Sequence, residues 1–266
     1  MTWSLFVRNL RHHARLLVAM MLGLATFEVL IVWVAAKIEE GSGLREFLEQ
    51  LLPPEAQEAV FSQFGFVSFP GAVAFGFMHP VAIVAAAAFV VVAATVPAAE
   101  RESGFLDLVL ARPVPRARYL LAVVLLVIVG SLLLPTALLG GAAVALAIVQ
   151  VEERLPLARY VPSAAGLVFL LLAVGGYALL FAAGAKRRGA AVGRAVGLTL
   201  ALYVVEFLAD FWEPLDRIRW LSPFHYYKPI AAAIVPSAPI ENPAVLLLAF
   251  AVLVAAAVLR FRRQDL

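Results

Sequence analysis

YLLAVVLLVIVGSLLLPTALLGGAAVALAIV, residues 119–149, contains no Asp, Glu, Lys, Arg or His. A helix that crosses the roughly 30 Å hydrocarbon layer of a bilayer needs about 20 such residues, each rising ~1.5 Å. Straightened into one helix, this run would reach roughly 45 Å, so tilt, protrusion or a kink at Pro135 has to absorb the excess. The rest of the chain agrees with it. Of 266 residues, 64% are hydrophobic and 15% charged, with a mean hydropathy of +0.95, against about 25% charged in an average globular domain. A water-soluble fold has nowhere to hide that surplus, and the sequence is read as an all-α polytopic membrane protein.

Outward from this central run, further spans are expected near 163–183, 190–209 and 243–260 on one side, and near 78–98 and 16–36 on the other. Six crossings place both termini on the same side. The apolar run Leu16–Ala36 is longer than the ~7–15-residue core of a signal peptide, and no persuasive cleavage site follows it, so it is read as a retained first helix. Before it, residues 1–15 set Trp3, Phe6, Val7 and Leu10 on one side and Arg8, Arg11 and Arg15 toward water, the pattern of an interfacial helix. The alternative is a direct extension of the first span.

Basic residues decide the orientation. With the N-terminus inside, Arg8, Arg11, Arg15, Arg101, Arg112, Arg116, Arg118, Lys186, Arg187, Arg188, Arg194, Arg260, Arg262 and Arg263 lie inside, and only Lys37, Arg45, Arg154, Arg159, Arg217, Arg219 and Lys228 outside. Positive charge resists translocation, so both termini are expected in the cytoplasm. The net charge of +3 is thereby read as anchoring beside the spans and not as a nucleic-acid footprint. The chain has no Cys, which excludes disulfides, thiolate metal sites and cysteine nucleophiles.

Segments 37–77 and 210–242 then lie outside. In the first, Leu44, Phe47, Leu48 and Leu51 have helical spacing that Pro53 and Pro54 interrupt; Phe64–Pro80 suits an interfacial stretch or an early start to the second span. The second segment has an apolar centre, residues 230–235, too short to cross, so reentrant or surface helices are expected. Its Trp212, Trp220, Phe224, Tyr226 and Tyr227 suit headgroup depth.

Charge also gathers at the joint over 99–117, where the stretch ERESGFLDLVLARPVPRARY, residues 100–119, carries seven ionised side chains between two long apolar runs. Ser103 and Gly104 can start a short helix whose Phe105, Leu106, Leu108, Val109 and Leu110 form an apolar side; Pro113 and Pro115 force an extended turn before Arg116 and Arg118 anchor the next span. A plain solvated loop is the simpler reading. Against it, each large apolar side chain left in water forgoes ~1.5–3 kcal/mol, which a docked partner or the membrane surface would recover.

Within the spans, Glu28 is costly if ionised, at least ~2.5–3.5 kcal/mol at mid-helix, and marks either a pathway or a structural interface. His79 before Pro80 is read as an interfacial histidine at a kink. Glu206 and Asp210, one turn apart, either line an exit path or cap a helix. Metal binding has little support: His12 and His13 are adjacent, and Glu206, Asp210 and His225 converge only if the last outside segment folds back. Ser103 has no evident base partner, so enzymatic chemistry is not expected. Gly140, Gly141, Gly175 and Gly176 are assigned to close helix contacts. No G-x-x-x-x-G-K-[ST] loop exists, so the chain cannot bind and hydrolyse ATP through one.

Glu100-Arg101-Glu102-Ser103-Gly104 followed by Leu106, Leu108, Leu110, Arg112 and Pro113 resembles the E-x-E-x-G-x-L segment of ABC-2 type transporter permeases, and Trp220-Leu221-Ser222-Pro223-Phe224-His225-Tyr226-Tyr227 is similar to that family's outside segment before the last span. The resemblance implies a type V exporter-like transmembrane domain in a bacterial or archaeal cytoplasmic membrane. It implies two separate ATPase subunits carrying ATP and Mg, and a second copy or homologue of the permease. It makes Glu100, Arg101, Glu102, Gly104, Phe105, Asp107 and Arg112 the coupling segment, and implies export of a hydrophobic or amphipathic substrate. Phe105 departs from the family, which commonly has Thr or a small polar residue there. A stand-alone secondary transporter and a non-transporting membrane scaffold are the alternatives.

Overall fold

The structure is a computed structural model, and it describes residues 2–40, 68–111, 115–151, 155–235 and 241–263. The expected helices over 44–51, and Arg112 of the joint, lie outside these residues. The first helix, α1, runs unbroken from Thr2 to Glu40. The expected boundary near residue 15 carries no break, because the stretch Leu10 to Leu16 holds no Pro, Gly or capping residue that could interrupt a helix. Its buried stripe is Phe6, Asn9, His13, Leu17, Leu24, Glu28, Val32 and Ala36, stepping by three, four or seven residues as a single helical face requires.

The second crossing starts earlier than residue 78. Helix α2 (Phe69–Met78) begins at Ser68, whose hydroxyl accepts from the Gly71 amide at 3.2 Å. It stops at His79, since Pro80 disfavours a helical residue before it, and the His79 Nδ1 accepts from the Val81 amide at 3.2 Å to start α3 (Pro80–Ala94). Two short helices follow, α4 (Val96–Glu102) and α5 (Phe105–Leu110). The long central run forms α6 (Arg116–Ile148), 33 residues that pass Pro135 without interruption. Next come α7 (Val161–Gly184) and α8 (Arg188–Ala209).

Between α8 and the last span the described residues form short elements: α9 (Glu213–Asp216), single 3₁₀ turns at Arg219–Leu221 and Pro223–Tyr226, and α10 (Pro229–Ile234). Helix α11 (Glu241–Arg262) ends the bundle. Helix α1 packs most extensively on α6, and α7 on α11, with α3 between α6 and α7. Helix α10 lies over α2 and α7, tied by Ser163 Oγ donating to the Pro229 carbonyl at 2.7 Å and Tyr227 donating to the Phe77 carbonyl at 2.9 Å.

Among the described residues there is no strand, and six helical stretches are long and apolar enough to cross a membrane: Thr2–Lys37, Phe69–Ala94, Arg116–Ile148, Leu157–Gly184, Arg188–Ala209 and Pro243–Arg262. Their outward faces are apolar as well. Leu22, Val84, Leu132, Leu200, Phe207, Leu248 and Val252 are all exposed, a distribution that water would penalise and lipid accommodates. The chain is a multi-pass membrane protein.

Close helix contact falls where small residues predict it, with one exception. A methyl at Gly141 would strike the Ala25 backbone of α1, and one at Gly176 would press on Leu253 and Phe250 of α11. At Gly175 it would meet Val127 and Val90, whereas Gly140 has open space around it; Gly140 points away from the α1 seam that its neighbour fills. Gly141→Ala should therefore push α1 off α6 and lower stability by about 1–3 kcal/mol, while Gly140→Ala should leave it unchanged or slightly raised. Thermal unfolding of the two variants in detergent checks the difference.

Candidate functional site

The joint between the second and third crossings is a braced structure. Helix α3 ends where Thr95 turns its hydroxyl back onto the Val91 carbonyl at 2.8 Å, and α4 then carries the charged residues. Glu100 accepts from Arg8 of α1 through one carboxylate oxygen and from the Tyr119 hydroxyl of α6, at 2.6 Å, through the other. Arg101 donates to the Ala185 carbonyl at 2.7 Å, just past the end of α7, and its guanidinium sits 5.7 Å over the Phe261 ring of α11. Burial lowers the pKa of that guanidinium. Glu102 accepts from the Arg188 amide at 2.8 Å, placing a negative charge at the positive N-terminal end of α8. Three consecutive residues thus tie one short helix to every long helix that reaches this end.

Gly104 follows with φ +72°, a left-handed conformation that costs glycine nothing and an L side chain about 1 kcal/mol or more. It turns the chain into α5, where Leu106 is fully buried while Phe105, Asp107 and Leu108 face outward. Arg8 also lies 5.0 Å from the Phe105 ring centre. Beside this knob is a cavity of about 340 Å³ lined by Arg8, His12, His13, Phe105 and Arg188 among others. Arg8, expected toward water, is instead drawn inward, because Glu100 offers it a carboxylate. Tyr119 stacks on Phe261 with ring centres 5.7 Å apart, and Arg116 donates to the Arg262 carbonyl at 3.2 Å, so the ends of α1, α6, α7, α8 and α11 meet here.

At the opposite end, the last polar segment does fold back, as a junction of Glu206, Asp210 and His225 requires. What holds it is a guanidinium. Arg219 donates to Glu206 at 2.8 Å, Asp210 at 3.0 Å and Asp216 at 3.2 Å, and His225 Nδ1 lies 3.5 Å from Glu206. The hydrogen bond that Arg219 donates to Glu206 foremost keeps the Arg219 pKa above its ordinary value. Among the described residues no group of three His, Cys, Asp or Glu is placed to hold a metal ion. His79 takes its place as a helix cap between the rings of Phe27 and Phe75, 5.0 and 5.4 Å away.

Glu28 stands apart from both ends. It is fully buried on the α1 stripe, both carboxylate oxygens lack a hydrogen-bond partner, and Gly76 of α2 lies directly against it. Sequence reasoning singled out Glu28 but not Arg8, Tyr119, Arg188 or Arg219. Partners 92 residues apart, as Arg8 and Glu100 are, leave no spacing signal in a single sequence; only the excess of charge at the joint points to them.

The geometry, six crossings with a braced charged joint between the second and third, agrees with a family comparison. Residues 6–262 match the family described as "Multidrug efflux system permease Rv1217c, C-terminal domain". No curated protein matches the chain. The match covers nearly the whole bundle, and the chain belongs to this family of ABC-2 type transporter permeases as a transmembrane permease subunit.

Proposed function

We propose that the chain is the membrane half of an ATP-driven exporter of hydrophobic or amphipathic compounds, moved by ATPase subunits that dock on the joint at 100–112. The observation that carries this is the division of labour in the joint. Glu100, Arg101 and Glu102 are engaged with α1, α6, α7 and α8, whereas Phe105, Asp107 and Leu108 project outward beside a cavity of about 340 Å³. A side chain of a partner fits that hollow, and a push on α5 is passed by α4 to the whole bundle. Two packings of the helices that differ in access then become biased by the nucleotide state of the partner. ATP and Mg belong to that partner. Arg112 completes the docking face by resemblance to the family.

The excess of Arg and Lys at this end supports a cytoplasmic joint with both termini inside the cytoplasmic membrane of a bacterium or archaeon. The efflux of several drugs, as the family's description has it, agrees with a pathway among Phe, Ala, Val and Leu. A second permease copy is supported by α8, which is exposed along much of its length and carries Gly189, Gly193 and Gly197 on one face with open space beyond. Such four-residue spacing lets two membrane helices approach closely.

Leu108→Arg, alone or with Phe105→Ala, should reduce co-purification of the ATPase subunit at least about tenfold, as loss of an interface anchor does, with membrane yield unchanged. Undiminished co-purification would count against the docking face. Tyr119→Phe should behave differently: the ATPase remains bound, but its hydrolysis loses coupling to export, measured as drug flux per ATP hydrolysed. Since the chain has no native Cys, Gly193→Cys should cross-link to a dimer in membranes if α8 faces a second copy; a purely monomeric product sinks that pairing.

A further inference from the structure

Glu28 is the polar group whose placement the bundle leaves unexplained. A carboxylate kept for structure is normally supplied with donors, because a buried polar group without a partner costs about 1–3 kcal/mol, more when charged. Here neither oxygen has a donor, and no described residue pairs with it. Room has nevertheless been made for it. At Gly76 a methyl would collide with the carboxylate, so a side-chain-free position of α2 faces the one acid of the α1 stripe.

Two phenols are near. The phenols of Tyr160 and Tyr227 lie within electrostatic reach of Glu28; the buried Tyr160 hydroxyl is also without a partner, while Tyr227 is used by the Phe77 carbonyl. One turn from Gly76, Phe27 and Phe75 flank His79. An unopposed carboxylate with two phenols in electrostatic reach and further rings one turn away has the chemistry to hold an organic cation, whose charge pairs with the acid and whose greasy body can lie on such rings. An ionised Glu28 facing lipid or protein alone costs at least ~2.5–3.5 kcal/mol, and a ligand cation is the counter-charge that would offset it.

We infer that Glu28 is a recognition point for lipophilic cations, quaternary or protonated amines and their phosphonium analogues, at the seam between α1 and α2. This rests on the exporter reading for its biological use, though not for its test. In the present packing the seam is shut against Gly76, so the cation enters where α1 and α2 part.

The purified full chain in lipid nanodiscs, with no ATPase present, is titrated with methyltriphenylphosphonium and with triphenylphosphine oxide, a neutral molecule of similar shape. The phosphonium should bind saturably, and Glu28→Gln should weaken it by about tenfold or more, the equivalent of ~1.4 kcal/mol, while oxide binding stays unchanged and so reports an intact fold. Glu28→Asp, which keeps the charge, should retain the preference for the cation. Absence of saturable phosphonium binding, equal loss of both probes in both variants, or no change in either, overturns the inference. Any of these leaves docking of the ATPase untouched, and a failure of that docking leaves this result standing.

Discussion

Hydrocarbon offers a protein no hydrogen-bond partner, and almost every feature of this chain follows from that. Backbone amides and carbonyls at membrane depth must be paired within helices, so six long apolar helices are the form available to these runs. Side-chain charge is pushed to the two ends, where it ties helices together. The central α6 illustrates the rule: its helix is unbroken through Pro135, with Thr136 returning its hydroxyl to the Leu132 carbonyl at 2.7 Å, because nothing outside the bundle could satisfy a broken turn.

Charge at the ends does more than anchor. At one end, Glu100, Arg101 and Glu102 distribute their bonds over α1, α6, α7 and α8, so α4 is braced against the bundle and α5 projects beyond it. At the other, Arg219 gathers three acids and folds the segment after α8 over the bundle, where α10 and Tyr227 close on α2 and α7. A carboxylate with two partners and a guanidinium with three join elements at each end, so displacement of one helix is felt by the others. Glu28 is the exception that breaks the pattern, a carboxylate inside the bundle with no such partner.

The family resemblance and the braces bear on different levels. Motif likeness points to the joint as a whole; it does not separate residues that hold the joint from residues that face outward. Burial makes that separation. Leu106 is hidden and Leu108, two residues on, is exposed, although the sequence treats both as equal members of one apolar side. Phe105, where the family commonly has a small polar residue, is half exposed and lies under Arg8, so this departure falls on the outward surface of the knob.

Hydropathy and charge determined much by themselves: the membrane class, the six crossings, the charged joint and the isolation of Glu28 are all local in sequence, since each depends on the solubility of a single stretch. Tertiary structure alone decided the partners. Arg8 with Glu100, Glu102 with the start of α8, and Gly76 with Glu28 join residues far apart in the chain, and a pairing of that kind is set by how helices pack, which no one helix records. The same reason explains the place of Gly140: periodicity says that a face exists, while the neighbour it meets is a property of the bundle.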